Sequence, residues 1–295
     1  PGASYGQTTD GVGGKETKSI LAKFPLTGAT APTWVAKPHF FSYTGVESFA
    51  GAVATTESGT PYIYVSGGGQ PCSYFAYFVA KYDTAGNLIA KATDSSVGIS
   101  FSSCFVPSPG GSNASAVTTL NGNVYAVGVT AWSHEGDNPL AKASLWKYDN
   151  SLNLIWRRKN TTLTGAAQYL GVTSMGNAIY AVGQTSGSAG SEQYVVDKYD
   201  EAGNLIWTKT FGGANTDILT GAIAVGNRVF VVGYTRSQGA GGADAVILEI
   251  DPATGDTLST TLFGGAQDDM ANAVATAVSG GGRRAGGIAG AGRER

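Results

Sequence analysis

Two kinds of apolar run alternate along this chain. Val229-Phe230-Val231-Val232 and Ala245-Val246-Ile247-Leu248 are apolar at every position, the pattern of strands covered on both faces. Around them stand slimmer runs of small residues: Ala52-Val53-Ala54, Ala116-Val117-Thr118, Ala222-Ile223-Ala224 and Ala273-Val274-Ala275. Turn residues punctuate both. In Thr220–Thr235 a small-residue strand turns at Gly226-Asn227 into an apolar one. Relatives of that hairpin occupy Ala50–Ser66, Ala114–Thr130 and Gly171–Thr185, with turns at Ser58-Gly59, Asn121-Gly122-Asn123 and Gly176-Asn177. A second hairpin follows each, best seen in Lys198–Gly213. There a strand ends in Lys198-Tyr199-Asp200, the chain turns on Ala202-Gly203-Asn204, and a strand from Leu205 to Phe211 stops at a Gly pair.

That second hairpin recurs as Lys81-Tyr82-Asp83 through Ile89, Lys147-Tyr148-Asp149 through Trp156, and Glu249-Ile250-Asp251 through Leu258, with a degraded copy from Ala22 to Trp34. Each unit therefore predicts a four-stranded meander, a-b-c-d. Slim a strands beside bulky b and c strands are the taper expected when sheets stack radially and their innermost strands crowd an axis, so the predicted fold is an all-β propeller. The chain opens on a b-like strand at Ala3–Thr8 and ends on an extra a-like strand at Met270–Val278. Pairing the two predicts five four-stranded blades, with six as the alternative, in one domain spanning residues 1–279. Residues 280–295, rich in Gly and Arg, read as a flexible tail or the start of a missing continuation.

The unit K-Y-D-x-x-G-N-L-I-W-x-K-x-F-G-G, with Asp217 and the Ala222–Thr235 hairpin behind it, resembles the SBBP-type β-propeller repeat of secreted and cell-surface proteins. The likeness runs from about Ala3 to Val278 and departs in the first copy and at Ala90, where the repeat carries Trp. It implies an extracellular propeller with no single activity and no catalytic residues to carry over.

Charged residues make up 14% of the chain and the formal net charge is −2, so there is no electrostatic footprint for nucleic acid or an anionic membrane. No apolar run approaches the ~18 residues that cross a bilayer, and the chain begins at Pro1, which reads as processing or excision. There is no G-x-S-x-G, Walker or dinucleotide motif, and His39 has no acidic neighbour, so no enzyme activity is predicted.

In a meander the a–b and c–d turns lie at one end and the b–c and d–a connections at the other. Every long insertion falls in the second set, which makes that face the predicted place for binding. Its exposed-ring candidates are Tyr43, Tyr74, Phe101, Phe105 and Trp132, with Phe40 and Phe41 nearby; a small core private to the loops is the competing reading. Cys72 and Cys104 fall on the same face and suit a disulfide between two loops, or two separate buried thiols. The sequons at Asn113 and Asn160 suit N-glycosylation of a secreted chain. Glu47, Asp217 and Asp269 stand in register where strand a begins, with Asp268 adjacent, and would ring a channel mouth. Turn capping, Ca²⁺ binding and the paired carboxylates of a glycosidase are their three readings, and no other cofactor is predicted. Together these features predict a non-enzymatic extracellular module of structural or protein-interaction type, a subunit of a surface or filamentous assembly. Its partners would be other protein subunits or surface glycans. The alternatives are a glycan-binding module using the long-loop face and a glycoside hydrolase with acids at the channel mouth.

Overall fold

The computed structural model describes residues 2–3, 8–9, 15–16, 19–23, 31–36, 40, 47–69, 76–93, 112–130, 141–186, 191–275, 278–279 and 282–283. Among them every regular element is a β-strand. Strands β1 (Gly2–Ala3), β4 (Ser19–Lys23) and β5 (Trp34–Ala36) form a three-stranded sheet in that order, and β2 (Thr8–Thr9) pairs with β3 (Lys15–Glu16). Four antiparallel four-stranded meanders follow. They are β6 (Glu47–Glu57) to β9 (Leu88–Thr93) through β7 (Thr60–Gly69) and β8 (Ala76–Asp83), and β10 (Ser112–Leu120) to β13 (Leu154–Lys159) through β11 (Asn123–Thr130) and β12 (Lys142–Tyr148). Then come β14 (Ala167–Met175) to β17 (Leu205–Phe211) through β15 (Ala178–Ser186) and β16 (Glu192–Asp200), and β18 (Asp217–Val225) to β21 (Thr257–Phe263) through β19 (Arg228–Thr235) and β20 (Asp244–Ile250). Strands β22 (Val278–Ser279) and β23 (Gly282–Arg283) pair with each other. The chain forms two compact units, residues 1–141 with 145–157 and residues 142–144 with 158–295.

The a-b-c-d order predicted for each copy is thus what the four large sheets adopt. Segment 271–275, expected as a further a strand, is no sheet strand: Thr220 Oγ1 donates to the Ala271 carbonyl (2.6 Å) and Ala271 N–H to the Gly233 carbonyl (3.3 Å). Among the described residues no strand lies on the free edge of β1, and no sheet closes on itself.

Small residues in the a strands answer to a close approach. Each a strand carries a register shift at one equivalent place, Phe49/Gly51, Ala114/Ala116, Tyr169/Gly171 and Leu219/Gly221. A Cβ on Gly51 would stand 2.7 Å from Ala116 Cα, and one on Gly171 the same distance from Gly221 Cα. Neighbouring a strands in one unit therefore pack backbone on backbone, which any larger side chain prevents.

The K-Y-D-x-x-G-N motif is a joint between sheets. Its Asp closes the c–d turn: Asp83 Oδ1 accepts the N–H groups of Ala85 (2.9 Å) and Asn87 (2.8 Å) while Oδ2 accepts the Asn87 amide (2.8 Å). Asp149 and Asp200 repeat this with Asn153 and Asn204. The Asn87 and Asn153 amides, with the turn N–H groups, hold the Asp83 and Asp149 carboxyls below their ordinary range. Its Lys reaches forward to the next sheet. Lys81 Nζ donates to the Asn150 carbonyl (2.9 Å) and Lys198 Nζ to the Pro252 carbonyl (2.7 Å), each the residue after the Asp of the following turn. The Tyr180 hydroxyl donates to the same Pro252 carbonyl, and the Tyr64 hydroxyl oxygen stands 3.0 Å from the carbonyl oxygen of Asn150. The turn Gly seats against the preceding sheet's Trp, Gly86 on Trp34 and Gly255 on Trp207, where a Cβ would come within 2.9 Å of the ring.

Core side chains fill the space between these joints. In the second unit Tyr180, Val182, Val196, Leu219, Val231, Leu248 and Ile250 are buried together. In the first, Phe40 stacks on Phe78 at 4.1 Å and Tyr77 meets Trp146 at 4.7 Å. Each such side chain contributes roughly 1.5–3 kcal/mol of apolar burial. Phe40 is thus a core residue, 6% exposed, rather than an exposed loop ring.

Candidate functional site

The β6–β7 hairpin is longer than its relatives. Counted from the register shift, β6 runs from Gly51 to Glu57, seven residues, whereas Ala116–Leu120, Gly171–Met175 and Gly221–Val225 run five. The excess overhangs the short-turn end of the first unit. Beneath it lies a cleft of about 470 Å³, walled by Thr55–Ser58 on one side, Thr119–Val124 on the other, and Asn150.

Both turns at the rim carry two successive residues at positive φ, Ser58 (48°) and Gly59 (83°), then Asn121 (49°) and Gly122 (74°). That is the type I′ turn whose twist suits a two-residue hairpin. The corresponding turns of the second unit have positive φ at Gly176 and Gly226 alone. Ser58 is the exceptional member, because Ser rarely tolerates this conformation.

Glu57 is the overhang's inward charge. Its Oε1 accepts the Tyr64 hydroxyl (2.5 Å) and its Oε2 the Lys81 ammonium (2.7 Å), with Glu57 and Lys81 side chains 16% and 8% exposed. Lys81 Nζ also sits 4.0 Å from the centre of the Tyr62 ring, a cation–π distance. Burial, then the Glu57 carboxylate, pushes the Tyr64 hydroxyl well above its ordinary range, so it stays a protonated donor.

The second unit holds a buried polar cluster. Asp197 accepts hydrogen bonds from Asn160 Nδ2 (2.5 Å), the Tyr169 hydroxyl and the Thr208 hydroxyl, and Tyr169 meets the Tyr199 hydroxyl at 2.7 Å. Burial pushes Asp197 up to about 6 against the pull of those three donors. Burial and the same carboxylate raise Tyr169 and Tyr199. With Asp197, Tyr169, Tyr199 and Asn160 all 2% exposed or less, no solute reaches this cluster.

Two of the predicted acids, Asp217 and Asp269, cap turns. Asp217 is fully buried, its Oδ2 accepting Gly213 N–H (2.7 Å) and Ser237 Oγ (2.8 Å), its Oδ1 accepting Thr235 Oγ1. Asp269 repeats the arrangement with Gly265 N–H (2.9 Å), so the Phe-Gly-Gly-Ala-x-x-Asp spacing is a capped turn. Asp268 pairs with Arg236 (2.7 Å) and accepts Ala243 N–H (2.8 Å). Glu47 opens β6. Among the described residues no three His, Cys, Asp or Glu side chains converge as a cation site. Asn160, proposed for a glycan, is 2% exposed and occupied by Asp197 and Thr162, so the folded chain offers no amide there; Asn113 lies in β10. Tyr43, Tyr74, Phe101, Phe105, Trp132, Cys72, Cys104 and most of the 280–295 tail lie outside the described residues.

Sequence reasoning missed both the overhang and the Asp197 cluster. The signal for the first was the spacing from Gly51 to Ser66, sixteen residues where Ala116–Val127, Gly171–Val182 and Gly221–Val232 span twelve. For the second it was a comparison of copies: Asp197 stands where others carry Ala80, Trp146 and Leu248, and Asn160 where two carry Phe211 and Phe263 and one Asp94.

No protein-family model and no curated protein matches the chain. Among solved structures it is similar to the subtype N10 neuraminidase-like protein of A/little yellow-shouldered bat, at 10% identity over 80% of this chain and 71% of that one, TM-score 0.44. It is also similar to an exo-1,5-α-L-arabinanase from a bovine ruminal metagenomic library, at 14% identity over 83% and 88%, TM-score 0.37. A third likeness is to Cellvibrio cellulosa α-L-arabinanase complexed with arabinohexaose, at 10% over 71% and 75%, TM-score 0.33. Likenesses this distant carry no residue role across. The reading as a non-enzymatic structural or protein-interaction module is withdrawn, since the structures named here are described as neuraminidase-like proteins and arabinanases. No helix among the described residues is long and apolar enough to cross a membrane.

Proposed function

We propose that the cleft beneath the β6–β7 overhang binds a hydroxyl-rich small ligand of the saccharide class. The observation that carries this reading is the overhang itself: four sheets share one plan, and only at β6–β7 is the hairpin lengthened, in a way that walls a cleft. At about 470 Å³ the cleft is of small-molecule size. Its lining of Thr, Ser and Asn side chains with one carboxylate supplies paired donors and acceptors of the kind sugar hydroxyls need. The test is calorimetric binding of a saccharide panel to the native chain and to a variant lacking Thr56, Glu57, Thr60 and Pro61, which restores the hairpin length of the other sheets. In that variant Lys81 keeps the Asn150 carbonyl, as Lys198 keeps Pro252. Loss of binding in a folded variant supports the reading; unchanged binding overturns it.

For the fold, we propose that the four meanders and the three-stranded sheet are the blades of a five-bladed propeller of SBBP type. The close backbone approach of β6 to β10 and of β14 to β18, at Gly51 and Gly171, supports this. Gly51→Ala should then lower hydrogen-exchange protection of β10 as well as β6, and a loss confined to β6 would count against it.

A further inference from the structure

We infer that the cleft selects neutral saccharides and rejects those bearing a carboxylate. This rests on the saccharide reading above and concerns which members of the class are admitted. Lys81 is the cation paired with the acid of the cleft wall. Lys81 has three N–H donors, and three partners face it: Glu57 Oε2 at 2.7 Å, the Asn150 carbonyl at 2.9 Å and the Tyr62 ring at 4.0 Å. Its side chain is 8% exposed, so neither a free proton nor open surface remains for an anion.

Glu57 is differently placed. Each carboxylate oxygen has one protein donor, Tyr64 or Lys81, and a carboxylate offers roughly four acceptor positions, so about half stay available at the cleft wall. Every other lining residue is a Thr, Ser, Asn, Gly, Leu or Val, so the only formal charge on the wall is negative. Asp149, close enough to act electrostatically on both Tyr64 and Lys81, adds to the same sign. A sugar hydroxyl donates to Glu57 and gains a charge-assisted bond. A ligand carboxylate meets a like charge, and among the described residues lining the cleft there is no Lys or Arg to answer it.

The experiment is a set of calorimetric titrations of the native chain with neutral hexose and pentose oligosaccharides and with the uronic-acid counterparts of the hexoses. Binding at least tenfold weaker for the uronic forms is the expected result. A Thr56→Lys variant places a cation at an exposed position of the cleft wall and should narrow the gap by raising uronic affinity. Uronic forms bound as well as or better than neutral ones by the native chain overturn the inference and leave the saccharide reading standing. No binding of either kind removes that reading, and the inference with it.

Discussion

Asn160 donates its carboxamide N–H to Asp197 across 2.5 Å; Asp197 stands where the other copies carry Ala80, Trp146 and Leu248, and Asn160 where the two copies behind it carry Phe211 and Phe263. Asn160 and Asp197 lie 37 positions apart in the chain, so two separate departures from one pattern meet in space. An acid introduced alone into that core would have been stranded. With Asn160, Tyr169 and Thr208 aimed at it, the carboxylate is held but still desolvated.

Stability should therefore rise on mild acidification. The folded Asp197 sits at about 6 against an ordinary 3.8, so the folded state binds the proton more tightly. Its contribution is fully present below pH 3.8 and is lost as pH climbs through 6, about 3 kcal/mol in all. Urea titrations between pH 4 and 7 should show this slope in the native chain and lose it in Asp197→Asn.

Restoring the repeat tests the pairing directly. Asp197→Leu alone leaves the Asn160 amide without its acceptor, and Asn160→Phe alone leaves the carboxylate one donor short. A double-mutant cycle should give a coupling of about 1–3 kcal/mol, and additivity would show that the two residues do not act as a pair.

The joint lysines differ in what their loss leaves behind. Lys198→Met removes one hydrogen bond to Pro252 and should cost about 1 kcal/mol. Lys81→Met also strands the mostly buried Glu57 and should cost about 3 kcal/mol. Adding Glu57→Gln to Lys81→Met should recover most of the difference, read as the shift in urea midpoint.

Backbone contact between a strands can be probed with one methyl group. In Gly171→Ala the new Cβ meets Gly221 Cα at 2.7 Å and Val182 Cγ2 at 3.0 Å, and about 2 kcal/mol should be lost. Gly265→Ala meets nothing within 4 Å and should stay within about 0.5 kcal/mol of the native chain.

The repeating part of this molecule was legible because local chemistry determines it. Asp200-Glu201-Ala202-Gly203-Asn204 can only be a capped turn, and the apolar runs on either side then have to pair. The same is true of the small residues at Gly51, Ala116, Gly171 and Gly221, whose size reports the close approach. The candidate site was not legible, because it is a departure from the pattern rather than part of it. Glu57 reads as an ordinary exposed hairpin acid until Tyr64 and Lys81 are seen folded onto it. Asp217 was legible in part: turn capping, Ca²⁺ binding and catalysis were its three readings, and its bonds to Gly213, Thr235 and Ser237 are those of a cap.

The joint between sheets gives the chain a polarity. Lys81 and Lys198 each hand a proton donor forward to the following turn, so the first and third large sheets each present a donor that the next turn's carbonyl answers. The fourth large sheet breaks the succession. At the lysine position it carries Glu249, clasped by Arg228 of its own sheet at 2.5 Å, and at the tyrosine position Phe230. It receives from its predecessor, and neither Glu249 nor Phe230 can make the bonds that Lys198 and Tyr180 make, so a copy of the repeat placed behind it would lack this joint.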